Sequence, residues 1–227
     1  MGKYILKLFL GLAMLWVAIV AACTLGQAYA RAVGLPTGVL WFLGGGALYL
    51  AVQFLLYRPL LSHVLAHELT HALAAILTGG RVTAIHATTS GGSTAVNRSG
   101  AFISLAPYVF PFYAALLAPV YAVSAASFRP WIAGLIGFAY LYHLFLTGYT
   151  LLHHQPDLQE NGTVFSLIFI LCGNIIALMT LTLILWPEAL TVRTVFSGIV
   201  DWSVRLASAL IAVLQPLFTR SKGASPT

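Results

Sequence analysis

Six stretches of the chain are each apolar over roughly the 20 residues that a helix needs to cross a lipid bilayer. Only 7% of all residues are charged, whereas a soluble globular domain carries about 25%. The chain therefore has too little polar surface to cover a water-exposed body, which excludes a soluble enzyme. We predict an all-α polytopic membrane protein with about six transmembrane helices, at residues 8–30, 39–57, 61–79, 101–126, 131–152 and 164–186.

The few charged residues are mostly basic and give a net charge of +6. In a membrane protein such an excess is typical of Lys and Arg in cytoplasmic loops, so no nucleic acid partner is expected. Lys3 and Lys7 predict a cytoplasmic N-terminus, and alternate crossings then place Arg58 and Arg129 on that side. The compact chain shows no organelle-targeting pattern, which favours a bacterial cytoplasmic (inner) membrane.

Residues 81–97 interrupt the apolar pattern with small, β-branched and polar side chains. Gly91 and Gly92 lie near the centre of this segment. Two short strands around a glycine turn are typical of a β-hairpin. We therefore predict a small β-hairpin here, with an irregular loop as the alternative.

Residues 190–218 combine polar and apolar side chains with the period of a helix. Polar residues recur every three or four positions, which predicts a C-terminal amphipathic helix. Asp201 and Arg205 are four residues apart and are expected to pair on its polar stripe. The pattern leaves open whether this helix crosses the membrane or lies on it. The polar tail from residue 221 is predicted to be disordered.

Glu68 is the one acidic residue within an apolar stretch, and a charge placed there is costly enough to indicate function. It belongs to the HExxH pattern His67-Glu68-Leu69-Thr70-His71. Histidines four residues apart lie on one face of a helix and can bind one metal ion, while the glutamate polarises a metal-bound water. The alternative is a buried histidine pair, hydrogen-bonded to each other or to Glu68, in a proton path.

Residues 67–80, HELTHALAAILTGG, are followed by the hairpin segment and a proline-containing apolar stretch from Ala101. This order resembles the site-2 protease family of intramembrane zinc metalloproteases. The resemblance implies a zinc ion bound by His67 and His71, with Glu68 as general base. It makes residues 61–186 a metalloprotease-like core, preceded by two transmembrane helices in residues 1–60. Residues 187–227 form the amphipathic helix and tail.

The same family supplies its third zinc ligand from an aspartate near the start of a later membrane helix, usually in an LDG-type motif. This sequence has no such motif. Asp157 is the aspartate in a comparable place, since the only other aspartate, Asp201, is expected to pair with Arg205. A carboxylate beside two histidines suits hydrolytic zinc chemistry, because the fourth position stays open for water. Asp157 is therefore assigned as the third ligand, with alternatives at His143, His153, His154 and Glu160.

If each of the six predicted helices crosses the membrane in turn, the assignment of Asp157 meets a geometric conflict. Such crossings place the histidines near mid-membrane and Asp157 at the outer end of a helix, about 15 Å away. Zinc–oxygen bonds measure about 2 Å. Either the segment around Pro156 dips inward, or residues 101–152 do not make two full crossings.

The resemblance implies cleavage of transmembrane protein substrates inside the lipid bilayer. A substrate helix must unwind before hydrolysis, and the edge of the hairpin offers an extended peptide a pairing partner. Water would reach the zinc through a polar cavity, which Thr70, Thr147 and the loop around Gln155 are expected to line. Two other functions stay open: a non-proteolytic metal-binding scaffold, and a small proton or cation transporter that uses the same side chains.

Overall fold

A computed structural model of the protein describes residues 2–31, 34–56, 60–153 and 156–221. Arg58, His154, Gln155 and the tail from residue 222 lie outside these ranges, so the expectations placed on them are not addressed. The described chain is mostly helical. Its elements are α1 Gly2–Arg31, α2 Thr37–Leu55, α3 Leu60–Leu77, β1 Val82–Thr88, β2 Gly91–Val96, α4 Ala101–Leu105, a 3₁₀ turn Ala106–Tyr108, α5 Phe112–Val123, α6 Arg129–Leu151, α7 Pro156–Asn161, α8 Thr163–Leu185 and α9 Val192–Ser221.

Within the described ranges, six helices are long and apolar enough to cross a membrane, namely α1, α2, α3, α6, α8 and α9. Their number equals the expected six by length and composition, or seven if the bent α4–α5 pair counts as one span, but one member of the set differs. The predicted span 101–126 is wrong as a single helix, because α4 with its 3₁₀ turn meets α5 at a bend of 73°. Pro107 lies in the 3₁₀ turn and Pro111 caps α5. Both prolines lack the backbone N–H that a continuous helix requires.

Helices α2 and α6 pack with their backbones in contact through glycine. A Cβ atom added at Gly45 would lie 1.8 Å from the Gly134 carbonyl oxygen, and one added at Gly137 would lie 1.8 Å from that of Phe42. Small residues allow this close approach, which is a common way for membrane helices to associate. The two helices form one of the main cores of the fold.

Substitution of Gly45 by alanine is expected to destabilise this interface. The added methyl group overlaps the backbone of α6, and overpacking of this kind costs about 1–3 kcal/mol of unfolding free energy. Gly44→Ala is the matched control, because a Cβ atom there meets nothing within 4 Å. Thermal unfolding in detergent checks the difference, and equal melting temperatures for the two variants would contradict it.

Helix directions also differ from simple alternate crossings. α6 runs parallel to α2, since the ring centroids of Trp41 and Trp131 lie 4.5 Å apart and those of Tyr49 and Tyr142 lie 5.6 Å apart. α8 likewise runs parallel to α1, whose Lys7 Nζ donates to the Asn161 carbonyl at 2.9 Å near the α8 start. Alternate crossings predict antiparallel pairs in both cases, which is wrong because the broken α4–α5 segment replaces a full span. The α6–α8 connection therefore lies at the Lys7 end of α1.

The β-hairpin is confirmed and lies along α3. Its strands are antiparallel, with Ile85 opposite Thr94 and Ala87 opposite Gly92. The reversal occurs at residues 89–90, so Gly91 and Gly92 begin β2 instead of forming the turn. Val96 packs on Ala74 and Ala75, whereas Gly92 lies against Val64 and Glu68. Strand β2 therefore lies alongside the helix that carries the HExxH pattern and runs in the same direction.

Helix α9 packs on α1, and its expected internal ion pair does not form. The Arg205 guanidinium lies over the Trp202 ring at 5.3 Å, instead of bonding the Asp201 carboxylate. The Trp202 indole N–H donates to Gln27 Oε1 at 2.9 Å and so fastens α9 to α1. Stacking on a ring one turn away is the competing interaction that removes Arg205 from Asp201.

Candidate metal centre

Helix α3 presents His67 and His71 on one face, one turn apart. Their Nε2 atoms lie 3.1 Å from each other, and the ring centroids are 4.8 Å apart. The helical repeat of 3.6 residues produces this juxtaposition directly from the sequence spacing. Both side chains are mostly buried, with 15% and 14% of their surface exposed. The expected histidine pair is therefore present with its nitrogens facing one point.

The short helix α7 brings Asp157 to the same point. Its Oδ2 atom lies 3.7 Å from His67 Nε2 and 3.6 Å from His71 Nε2. The geometric conflict of the sequence interpretation disappears, because α6 runs toward the end where α3 begins. His63, one turn before His67, is hydrogen-bonded to Thr150 near the α6 end at 3.1 Å. Asp157 thus approaches the HExxH helix from the following connection.

These three atoms fit a zinc ion. In a tetrahedral site with bonds of 2.0–2.1 Å, adjacent ligand atoms are separated by about 3.4 Å. The three measured separations of 3.1, 3.6 and 3.7 Å lie on both sides of that value. Two imidazole nitrogens and one carboxylate oxygen are also the donor types that zinc accepts. The group His67, His71 and Asp157 can therefore hold a metal ion.

Helix α4 and its 3₁₀ turn, which lie next to α3, orient the His71 and Asp157 side chains. His71 Nδ1 lies 2.8 Å from the Ile103 carbonyl oxygen, which can only accept a hydrogen bond. The ring proton is therefore on Nδ1, and the Nε2 lone pair is free to bind a metal. Tyr108 donates its hydroxyl proton to Asp157 Oδ2 at 3.0 Å. A continuous helix over residues 101–126 would present its carbonyl oxygens to its own turns instead.

The Asp157 carboxyl is also held electrostatically. Burial by itself raises its pKa, but the neighbouring His67 and His71 and the hydrogen bond from Tyr108 more than offset burial and lower the pKa below its usual range. Asn161 fastens the same short helix by donating to the Asp157 carbonyl at 3.1 Å and to Ser104 Oγ at 2.7 Å. Asp157 is thus a well-anchored carboxylate at the metal position.

Glu68 lies beside the ligand group and is held by the hairpin. It is 6% exposed, and its Oε2 atom accepts a hydrogen bond of 2.7 Å from Thr94 Oγ1. Its carboxylate does not belong to the group of three ligand atoms from His67, His71 and Asp157 that face the common point. This separation matches the role expected of a general base, which acts on bound water and leaves the metal to other residues.

All four predicted site residues line one open cavity of about 610 Å³. Its wall combines α3, the hairpin tip, α4, the end of α6 and α7. Polar lining residues beyond the predicted four are His63, Thr89, Ser90, Ser93, Thr94, Arg98, Ser99, Ser104, Tyr149, Thr150, His153 and Glu160. The cavity is therefore large and polar enough to admit water and a peptide segment.

Two expected lining residues lie elsewhere. Thr70 donates to the Ala66 carbonyl at 2.7 Å and faces a separate void of about 20 Å³ behind α3. Thr147 is buried in α6 and does not reach the open cavity. On α3, Thr70 is two residues from Glu68 and thus lies on another face. The polar wall comes instead from the hairpin, which the sequence pattern alone did not relate to the cavity.

His143, His153 and Glu160, the alternative third ligands within the described ranges, do not join the group. His143 is hydrogen-bonded to Asn174 Oδ1 at 3.3 Å and lies at the small void behind α3. His153 and Glu160 line the open cavity, but His153 Nδ1 is 2.8 Å from the Tyr149 carbonyl of its own helix. Within the ranges that the structure describes, Asp157 is the carboxylate that completes the histidine pair.

No protein-family model, curated protein or solved structure matches the chain. The chemistry of the site is therefore inferred from its own residues and their geometry.

Proposed function

We propose that this chain is an integral membrane zinc metalloprotease of the site-2 protease type. The observation that carries this proposal is the convergence of His67, His71 and Asp157 on one point, in a cavity that also contains Glu68. A scaffold has no need of a carboxylate outside the ligand set. In a hydrolase, that carboxylate is the group that handles the proton.

Six helices of membrane-spanning length and composition support a polytopic protein in a lipid bilayer. Their outward faces carry large apolar side chains such as Phe9, Leu43, Leu135 and Leu171. Lipid tails are the solvent that such faces require. The bacterial cytoplasmic membrane stays a prediction from the sequence.

The proposed reaction is hydrolysis of a peptide bond. A zinc ion bound by His67, His71 and Asp157 would supply a Lewis acid that activates a water molecule. Glu68 accepts a proton from the attacking water and delivers it to the departing amine. The Ile103 carbonyl keeps His71 in the tautomer that binds metal, and Tyr108 holds the Asp157 carboxylate in place.

Membrane-embedded proteins are the proposed substrates. A transmembrane helix hides its peptide bonds in its own hydrogen bonds, so it must unwind locally before it reaches the site. The hairpin tip, residues 89–94, forms part of the cavity wall. An extended peptide there lies next to a strand, and pairing with a strand edge stabilises extended peptides.

Cleavage by the purified protein tests the proposal. The full chain is reconstituted in lipid nanodiscs with a panel of single-span peptides, and fragments are detected by mass spectrometry. We expect cleavage that stops on addition of 1,10-phenanthroline and returns when zinc is restored. Bound zinc without cleavage of any peptide would favour a metal-binding scaffold. A protein that binds no zinc but conducts protons would favour a transporter.

A further inference from the structure

Strand β2 contacts both oxygens of the Glu68 carboxylate. Thr94 Oγ1 lies 2.7 Å from Glu68 Oε2 and 3.0 Å from the Glu68 backbone carbonyl oxygen. A threonine hydroxyl has a single proton to donate, and the bond to a carboxylate is the stronger one. Thr94 therefore fixes one oxygen of Glu68 and leaves the other oxygen available.

Gly92 makes room for that second oxygen. A Cβ atom at this position would lie 2.7 Å from Glu68 Oε1 and 2.6 Å from Glu68 Cγ. Both distances are too short for real atoms, and Val64 Cγ1 would lie equally close at 2.7 Å, so any larger residue pushes against the glutamate side chain and its neighbour one turn earlier on α3. Gly92 does not have a positive φ. The requirement for glycine is therefore one of space at Glu68 and not of backbone conformation.

Residues 92 and 94 act together because side chains two apart share one face of a strand. Their partners Glu68 and Val64 lie one turn apart on α3. Thr83 gives a contrast within the same hairpin, since its hydroxyl donates to the Ala95 carbonyl at 3.1 Å and is exposed. The contact with Glu68 is thus specific to one face of β2.

We infer that Thr94 is a positioning residue for the general base, and that Gly92 provides the space in which Glu68 adopts its working orientation. This inference rests on the proposed function and extends it to the hairpin. Oε2 is held by Thr94, so Oε1 is the oxygen that takes the proton from water. Misplacement of a reacting group by about 1 Å costs on the order of 100-fold in rate.

Three substitutions in the hairpin test the role of Thr94 in the reconstituted full chain. Thr94→Val removes the hydroxyl at nearly constant size, Thr94→Ser restores it, and Thr83→Val makes the same change on the outer face. With a cleavable single-span peptide, we expect Thr94→Val to lower kcat by about 10- to 100-fold, with KM and zinc content unchanged. Thr94→Ser should recover most of kcat, and Thr83→Val should retain it.

Gly92→Ala gives a second, steric test at the other oxygen. We expect it to lower kcat at full zinc content, while Gly44→Ala on α2, where an added Cβ atom meets nothing within 4 Å, leaves kcat unchanged. The inference is overturned if Thr94→Val and Thr83→Val have equal kcat, or if Thr94→Ser fails to recover activity. It is also overturned if Gly92→Ala is fully active.

A double-mutant cycle separates this inference from the proposed function. Melting temperatures are measured for Glu68→Ala, Thr94→Val and the combined variant, with no substrate present. Since both single changes remove the same contact, the decrease in melting temperature of the combined variant should be smaller than the sum of the two single decreases. Additive losses would show that Thr94 does not hold Glu68, whatever the activity. Non-additive losses in a protein that cleaves no peptide would support the contact and reject the protease.

Discussion

Glu68→Gln is expected to abolish peptide cleavage while the protein retains its zinc. General acid–base catalysis contributes about 10²–10⁴-fold, and an amide cannot take the proton from the attacking water. Glutamine has the same size and still accepts a hydrogen bond from Thr94, so the packing around position 68 should persist. Fragment formation from a single-span peptide and zinc content by elemental mass spectrometry check both halves of the expectation.

Glu160→Gln is the matched control for this experiment. Glu160 lines the same cavity, but it does not belong to the ligand group. The control should therefore keep near-normal kcat and full zinc. Loss of cleavage in Glu160→Gln together with an active Glu68→Gln would transfer the role of general base to Glu160. Loss of zinc in Glu68→Gln would instead make Glu68 a ligand.

The second large effect is expected in the metal content of ligand variants. His67→Ala and Asp157→Ala each remove one of three atoms that face the common point. Loss of even an outer hydrogen-bond partner of a ligand weakens metal binding by about 10- to 100-fold, and loss of a ligand itself should exceed this. After dialysis against a competing chelator, the wild type should retain about one zinc per chain, as expected for a single site of this type. Both variants should retain only traces.

Controls for the metal experiment come from the same cavity wall. His153→Ala removes a cavity-lining histidine that contacts its own helix, and His63→Ala removes the neighbour one turn before His67. Both variants should keep their zinc. Zinc lost with His67→Ala but kept with Asp157→Ala would reject Asp157 as third ligand. No zinc in a well-folded, zinc-supplemented wild type would reject the metal centre itself.

The histidine pair could be predicted from the sequence because its geometry is local. Residues four apart on a helix meet regardless of what surrounds them, and the structure places His67 and His71 accordingly. The hairpin could be predicted from the composition of residues 81–97, because strand and turn preferences are also local. Its turn was placed two residues too late, since residues 89–90 reverse the chain and Gly91 and Gly92 belong to β2.

Asp157 could be assigned only by resemblance and elimination, because its position depends on the direction of α6. That direction follows from the break between α4 and α5, which the prolines allow but do not enforce by themselves. Elimination also relied on an Asp201–Arg205 pair that does not form, as Arg205 stacks on Trp202. The assignment agrees with the ligand geometry although one of its supports was wrong.

By itself, the sequence determined the apolar helices, the histidine spacing of α3 and the presence of a hairpin. Each depends on periodicity or turn chemistry over a few residues. Only the tertiary structure decided that Asp157 meets His67, that Ile103 and Tyr108 orient the ligands, and that Thr94 holds Glu68. These contacts join residues 26 to 90 positions apart, and packing of whole elements sets their distances. Such distances have no signature in local sequence patterns, because many arrangements of the same helices satisfy those patterns equally well.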